Sequence, residues 1–169
     1  MIKLIQGLLL LAALAAVCLT TPANAEKASD FRAERLDGGK FRLAEALGKE
    51  ILLVHFFDTC CPGCREGLPF VDSTAAAFPK DVRVILVSTD SPKSQSKLKP
   101  FIKSNRYKYE VLLDPNLEIR KLFGGVETPF SLVLQPTGDI AWRKVGAAPD
   151  DFQAMTRVIQ ELITPNLHK

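Results

Sequence analysis

The stretch FFDTCCPGCREGLP, residues 56–69, places three of the four cysteines of this 169-residue chain within five positions. It overlaps an apolar run with a single histidine, ILLVHFF at residues 51–57, which is typical of a strand buried on both faces. The residues from Arg65 to Phe78 predict a helix that ends before Pro79. A Cys-x-x-Cys pair between a buried strand and a helix indicates redox chemistry.

The two cysteines of that pair, Cys61 and Cys64, occupy different positions relative to the predicted helix. Free N–H groups and the partial positive charge at a helix N-terminus stabilise a thiolate on Cys61. Cys64 lies one turn further along, where it can attack a mixed disulfide formed at Cys61. We therefore predict that Cys61 attacks a substrate disulfide and that Cys64 resolves the intermediate.

The N-terminal segment has the pattern of a secretory signal peptide. Lys3 is its only charged residue, residues 8–19 are an unbroken apolar run, and Ala23-Asn24-Ala25 supplies a small-x-small cleavage site. The run is shorter than the roughly 20 residues that a membrane span needs, so cleavage is favoured over an uncleaved anchor. We predict a signal peptide at residues 1–25 and one folded domain at residues 26–169.

Cys18 is expected to leave with the signal peptide, because Val17 stands where a lipoprotein signal has a small residue. The remaining chain has 21 basic side chains (22 minus Lys3) and 19 acidic ones, a net charge of +2 that does not indicate nucleic-acid binding.

The three cysteines of the remaining chain are too close together for a disulfide between them to stabilise the fold, since a very short disulfide loop removes little unfolded-state entropy. Reactivity or metal binding explains them better.

Strands and helices alternate along the rest of the chain. The apolar segments around Asp37-Gly38-Gly39 predict a β-hairpin from Phe31 to Leu43. Further strands are predicted at residues 51–57, 82–87, 109–113, 130–134 and 140–145, and helices at residues 65–78, 91–104, 116–123 and 150–163. This order predicts an α/β domain with a central mixed β-sheet flanked by helices.

One predicted helix, at residues 91–104, is strongly basic. Its lysines are Lys93, Lys97, Lys99 and Lys103. Such a run is compatible with a docking patch, but a solvated helix face is the more common case and is favoured here.

The motif stretch resembles the active-site segment of the thioredoxin superfamily, most closely its exported TlpA/ResA-like branch, related to AhpC/TSA proteins, where FWATWCPPCRxELP is typical. The similarity extends over about residues 29–164, with VRVILVSTDSP, VLLDPN and TPFSLVLQPTGDIAWRKVG in the family's order. It implies a thioredoxin-like fold with an N-terminal β-hairpin extension. Thr128-Pro129 takes the place of the family's Thr-cis-Pro, which implies a cis Pro129 beside the cysteine pair and a substrate backbone bound at Thr128.

The resemblance also implies the activity: a periplasmic thiol–disulfide oxidoreductase that acts on protein thiols and disulfides without a cofactor. A reductant is favoured, serving cytochrome c maturation and recharged by a membrane electron donor. The direction itself depends on the reduction potential of the pair, which the Pro-Gly dipeptide does not indicate. After signal cleavage no stable membrane insertion is expected, and the oligomeric state stays open.

Three residues depart from the family pattern: His55, Gly67 and Cys60. His55 stands six residues before Cys61, where thioredoxin has a buried Asp and the exported branch often has Asn. It is either a proton relay to Cys64 or a neutral core histidine. Gly67 stands where many exported members have Glu, with Glu66 one place earlier, so a carboxylate that tunes the thiols is missing from its usual position.

Cys60 stands where the family usually has Trp. It is interpreted in three ways: a small side chain that fills a slot beside the active site, a spare thiol that captures or resolves a mixed disulfide, or part of a three-thiolate Cu(I) or Zn site. A vicinal Cys60–Cys61 bond would be strained, so Cys60–Cys64 is the more plausible alternative bridge. The slot interpretation is favoured.

Two alternative functions remain. A peroxiredoxin-type peroxidase would use Cys64 as its nucleophile, but Cys61 replaces the threonine that helps to bind peroxide in those enzymes. A Sco-like copper-binding protein would use Cys60 and Cys64 as a CxxxC, but between His55 and His168 there is no histidine to complete the ligand set.

Overall fold

The computed structural model describes residues 26–164. The predicted signal peptide, Cys18 and His168 therefore lie outside the described residues. The described elements are β1 (Arg32–Arg35), β2 (Lys40–Arg42), α1 (Leu43–Ala46), β3 (Ile51–Phe57), α2 (Pro62–Ala77), β4 (Val82–Ser88), α3 (Gln95–Ser104), β5 (Glu110–Leu113), α4 (Glu118–Leu122), β6 (Phe130–Leu134), β7 (Ile140–Val145) and α5 (Pro149–Ile163). Within residues 26–164, no helix combines the length and apolar character needed to cross a bilayer.

The strands form one mixed sheet in the order β2-β1-β5-β4-β3-β6-β7. The three central strands β3, β4 and β5 are parallel, and the remaining pairs are antiparallel. Strands β3 and β4 are buried along nearly their whole length and lie at the centre of the sheet, where helices cover both faces. The prediction of a mixed sheet with an N-terminal hairpin is confirmed.

Alternate residues of β3 face two separate apolar layers. Leu52, Val54 and Phe56 pack on one face of the sheet, together with α1 and α4. Leu53 and Phe57 pack on the other face, beneath α2, α3 and α5. Because side chains alternate along a strand, His55 lies on this second face, the one that α2 covers.

Some helix boundaries differ from the prediction. Helix α2 begins at Pro62 rather than at Arg65, because the fixed φ of proline suits the first helical position. Helix α3 begins only at Gln95, since residues 91–94 form a turn closed by the N–H of Ser94 and the carbonyl of Ser91 at 2.8 Å. The short α1 directly after β2 was not predicted.

Three chain segments meet at one edge of the sheet. Strands β3 and β4 are parallel, so the loop after Phe57 and the loop after Ser88 leave at the same edge. Strand β6 runs antiparallel to β3, which brings its first residues and the preceding Thr128-Pro129 to that edge as well. The motif of residues 58–64 therefore lies between the β4–α3 loop and the entrance to β6.

Candidate active site

Cys61 is the N-cap residue of α2. Its backbone is extended, with φ −79° and ψ 116°, while Pro62 occupies the first turn of the helix. The Cys61 Sγ accepts a hydrogen bond from the backbone N–H of Cys64 at 3.2 Å and, as a thiol, donates to the carbonyl of Thr128 at 3.7 Å. A half-buried sulfur on a helix N–H group is favourably placed to carry negative charge.

Cys64 lies one turn into α2 and has no exposed surface. Burial, followed by its hydrogen bond with Cys61, raises the pKa of the Cys64 thiol to about 12. The thiol is therefore protonated near neutral pH and shielded from solvent. Of the two cysteines in the pair, only Cys61 can meet a substrate from outside.

The Thr128–Pro129 peptide bond is cis, as the resemblance implied. Pro129 lies against the motif: its Cδ is 3.7 Å from the position that a Cβ on Gly63 would occupy. The Pro129 carbonyl accepts from the N–H of Gly146 at 2.8 Å, so β7 secures the segment. Thr128 remains half-buried, at the surface that a substrate would reach.

A buried carboxylate that the sequence did not reveal fixes the loop before Cys61. Asp90 has no exposed surface and accepts hydrogen bonds from the Thr59 N–H at 3.2 Å, the Thr59 hydroxyl at 2.5 Å and the Ser88 hydroxyl at 2.8 Å. The Thr89 N–H also donates to the Phe57 carbonyl at 2.8 Å. A charged acceptor with several buried donors holds the motif against the end of β4.

Comparison with known proteins decides the family. The model of the AhpC/TSA family matches residues 25–143, which includes the motif, the Asp90 loop and Thr128-Pro129. The chain belongs to the AhpC/TSA family.

Individual members and structures agree with this assignment. The sporulation thiol-disulfide oxidoreductase A of Bacillus subtilis is 31% identical over 96 residues, 56% of this chain and 58% of that protein. ResA of Bacillus thuringiensis is 26% identical over 115 residues, 68% of this chain and 65% of that protein. The matches with these two relatives thus span 58% and 65% of the relatives' own lengths.

One solved structure has a fold similar to that of this chain. The thioredoxin domain of a thiol-disulfide oxidoreductase from Bacteroides vulgatus superposes with a TM-score of 0.67 at 22% identity, covering 82% of this chain and 99% of that domain. At this identity the likeness concerns the fold. This AhpC/TSA chain has the thioredoxin-like fold that its motifs implied.

His55 is fully buried on the face of β3 that α2 covers. Its Nδ1 is 2.8 Å from the hydroxyl of Ser131, its cross-strand neighbour on β6, and its Nε2 has no hydrogen-bond partner in residues 26–164. Burial lowers the pKa of His55 to about 4. The imidazole is therefore neutral near pH 7. The sequence did not indicate that Ser131 is its hydrogen-bond partner.

A side chain at Gly67 would be tightly packed in this AhpC/TSA member. A Cβ on Gly67 would lie 3.2 Å from the Phe152 ring and 3.3 Å from the Ala147 Cβ. Helix α5 thus packs where that side chain would begin, and the neighbouring Glu66 is exposed. A glutamate at position 67 would therefore require Phe152 or Ala147 to shift.

Cys60 is exposed, in contrast to the half-buried Cys61 and the buried Cys64. Its backbone N–H donates to the Asp58 carboxylate at 2.7 Å, and the Cys61 N–H donates to the Asp58 carbonyl at 3.2 Å. These bonds form a tight turn that directs residue 60 outward. The thiol of Cys60 is therefore in contact with solvent rather than packed in a closed slot.

The two alternative functions find little support at this site. A peroxidatic Cys64 would need an accessible thiolate, whereas this thiol is buried and its pKa is raised to about 12. Within residues 26–164, no three His, Cys, Asp or Glu side chains come together in a manner that could hold a metal ion.

Proposed function

We propose that this AhpC/TSA protein is a thiol–disulfide oxidoreductase whose redox pair is Cys61 and Cys64. The observation that supports this most strongly is the asymmetry of the pair: the Cys61 sulfur lies on the Cys64 N–H and faces the Thr128 carbonyl, while the Cys64 thiol is buried. The relatives named thiol-disulfide oxidoreductases add independent support.

The exchange proceeds in two balanced steps. The Cys61 thiolate attacks one sulfur of a substrate disulfide held at Thr128-Pro129, which forms a mixed disulfide and releases the first substrate sulfur as a thiolate. Cys64 then loses its proton and attacks the Cys61 sulfur, which releases the second substrate sulfur. The substrate gains two electrons and two protons, and the protein is left with a Cys61–Cys64 disulfide.

Formation of the mixed disulfide favours the second step. The hydrogen bond and negative charge of Cys61 contribute to the raised pKa of Cys64, and both contributions end when the Cys61 sulfur is bonded to substrate. His55 is a weak base because burial lowers its pKa to about 4. We therefore propose that His55 is a structural core residue and that solvent or the departing substrate thiolate accepts the Cys64 proton.

We further propose that the protein acts in the periplasm after export, as a reductant recharged by a membrane electron donor and serving cytochrome c maturation. The signal-like residues 1–25 support export, and the reducing direction follows from the resemblance to the exported TlpA/ResA-like branch. The reduction potential of the Cys61–Cys64 pair tests this direction. A low potential, like that of thioredoxin, is expected for a reductant, and a high potential, like that of DsbA, would contradict it.

The activity is tested by mixing the reduced protein with a disulfide-bonded peptide and, separately, with hydrogen peroxide. We expect rapid conversion of one peptide disulfide per protein molecule and only slow peroxide consumption. Rapid peroxide consumption that depends on Cys64 alone, together with slow disulfide exchange, would instead establish a peroxidase.

A further inference from the structure

The crossover between β4 and β5 concentrates positive charge. Residues 91–109 contain six basic side chains and no acidic one, while the rest of residues 26–169 contain 15 basic and 19 acidic side chains, a net charge of −4. All six basic residues are exposed. We call them the α3 basic patch; they are Lys93, Lys97, Lys99, Lys103, Arg106 and Lys108.

None of these six residues forms an ion pair within residues 26–164. The ion pairs found there use Lys27, Arg35, Arg42, Arg83, Arg143 and Lys144, all of which lie outside the crossover. Asp37 and Glu110 line the same groove as Lys99 and Lys103, but none of the six charges is paired at ion-pair distance within residues 26–164. They remain available to a partner.

The patch also opposes the local stability of α3. Lys99 and Lys103 are like charges four residues apart, a spacing that destabilises a helix. Lys97 lies in the first turn, where no acidic residue is present and where the helix dipole favours negative charge. Helix α3 is held instead by its apolar side, with Leu98 fully buried. The basic side chains are thus exposed on a helix held by its apolar side, and of these lysines only Lys103, in the last turn, is favoured by the helix dipole.

This helix adjoins the active-site loop. The ring of Phe101 on α3 stacks on that of Phe57, the last residue of β3, with centroids 6.0 Å apart. Asp90, which holds Thr59, directly precedes the turn that leads into α3.

The start of the patch, at Lys93, directly follows the Asp90 loop. Lys99 and Lys103 lie further along, beside Glu110 at the start of β5. A molecule that covers the Lys93 end of the patch would therefore reach the active-site loop.

We propose that the α3 basic patch docks an acidic protein surface that carries the disulfide or dithiol exchanged at Cys61. This inference rests on the proposed activity and names the class of its partner. A protein is favoured over an anionic membrane because the Lys93 end of the patch adjoins the active-site loop, and a lipid surface offers no sulfur for exchange. Opposite charges would raise the rate of encounter and orient the partner.

The experiment compares two disulfide peptides that differ only in glutamate or glutamine flanks, together with the uncharged disulfide of 2-mercaptoethanol. The patch variant is Lys93→Gln/Lys97→Gln/Lys99→Gln/Lys103→Gln. The control variant removes the same charge from four exposed lysines elsewhere: Lys40→Gln/Lys49→Gln/Lys80→Gln/Lys121→Gln. Exchange rate constants are measured at about 10 mM and about 500 mM salt, where screening lengths differ severalfold.

We expect the wild-type protein to react with the acidic peptide about tenfold faster than with the neutral peptide at low salt, and at equal rates at high salt. The patch variant should lose this preference, whereas the control variant should keep most of it. Equal loss in both variants, or an unchanged preference in the patch variant, would overturn the proposal. So would binding to anionic vesicles that needs the patch, with no preference for the acidic peptide.

The uncharged disulfide separates the two proposals. If the wild-type protein fails to reduce it, the proposed activity itself is wrong. If both variants reduce it at the wild-type rate, the exchange chemistry is intact, and the charged peptides report on docking alone.

Discussion

Replacing Cys64 by serine is expected to stop the reaction at a mixed disulfide between Cys61 and the substrate. The Cys61 sulfur remains at the helix N-terminus in this variant, because its contact with residue 64 is made by the backbone N–H, but the resolving thiol is gone. The adduct should accumulate to about one per protein molecule and appear by mass spectrometry as the protein mass plus the substrate mass. Cys61→Ser should give no adduct and lower the exchange rate by about 10³-fold or more.

Cys60 supplies the matched control. Cys60→Ser is expected to exchange disulfides at nearly the wild-type rate, and Cys60→Ser/Cys64→Ser should trap the same adduct as Cys64→Ser. If Cys64→Ser traps little adduct while the double variant traps it fully, Cys60 resolves mixed disulfides and the two-cysteine account fails. Full exchange activity in Cys61→Ser would exclude Cys61 as the attacking residue.

A second large effect is expected for acid stability, and it involves His55. Burial lowers the pKa of this histidine from 6.5 to about 4. Below about pH 6.5 the histidine of the unfolded chain binds a proton, whereas the buried histidine of the folded protein does not. The free energy of unfolding therefore decreases as the pH is lowered from about 6.5 to about 4. A shift of this size corresponds to a loss of about 3 kcal/mol over that range.

The measurement is urea unfolding at several pH values between 7 and 4 for the wild-type protein and His55→Gln, whose amide can still bond to Ser131. The wild-type protein should lose about 3 kcal/mol more than the variant over this interval. Parallel stability curves would contradict a depressed pKa. If the variant does not fold, NMR titration of the wild-type imidazole decides the matter, since a His55 signal that titrates near pH 6.5 would refute the account.

Local patterns in the sequence were sufficient for much of this molecule. The run at residues 51–57 predicted β3 because a strand buried on both faces consists of apolar side chains, and the order of strands and helices predicted a mixed sheet. The place of Cys61 and Cys64 between a strand and a helix led to the proposal that they form the redox pair, which stays a prediction. The start of α2 was misjudged because Pro62 was not taken as a first-turn residue, although proline favours that position.

Contacts between distant segments could not be predicted from those patterns. Asp90 reaches Thr59 across 31 residues, and only the parallel pairing of β3 with β4 brings their loops together. The sequence showed that Gly67 stands where many exported members have Glu, but its close contact with Phe152, far along the chain, was visible only in the structure. The lysines of residues 91–104 were predicted as a solvated face, and only the structure shows that none of them forms an ion pair within residues 26–164.

The central claim, that Cys61 and Cys64 form the redox pair, is tested most directly by locating the disulfide after a single turnover. The reduced protein is treated with one equivalent of a peptide disulfide, free thiols are alkylated with one reagent, and the disulfide is reduced and alkylated with a second reagent. Fragment mass spectra then assign a label to each cysteine. We predict the first label on Cys60 and the second label on both Cys61 and Cys64; the second label on Cys60, with the first on Cys61 or Cys64, would contradict the account.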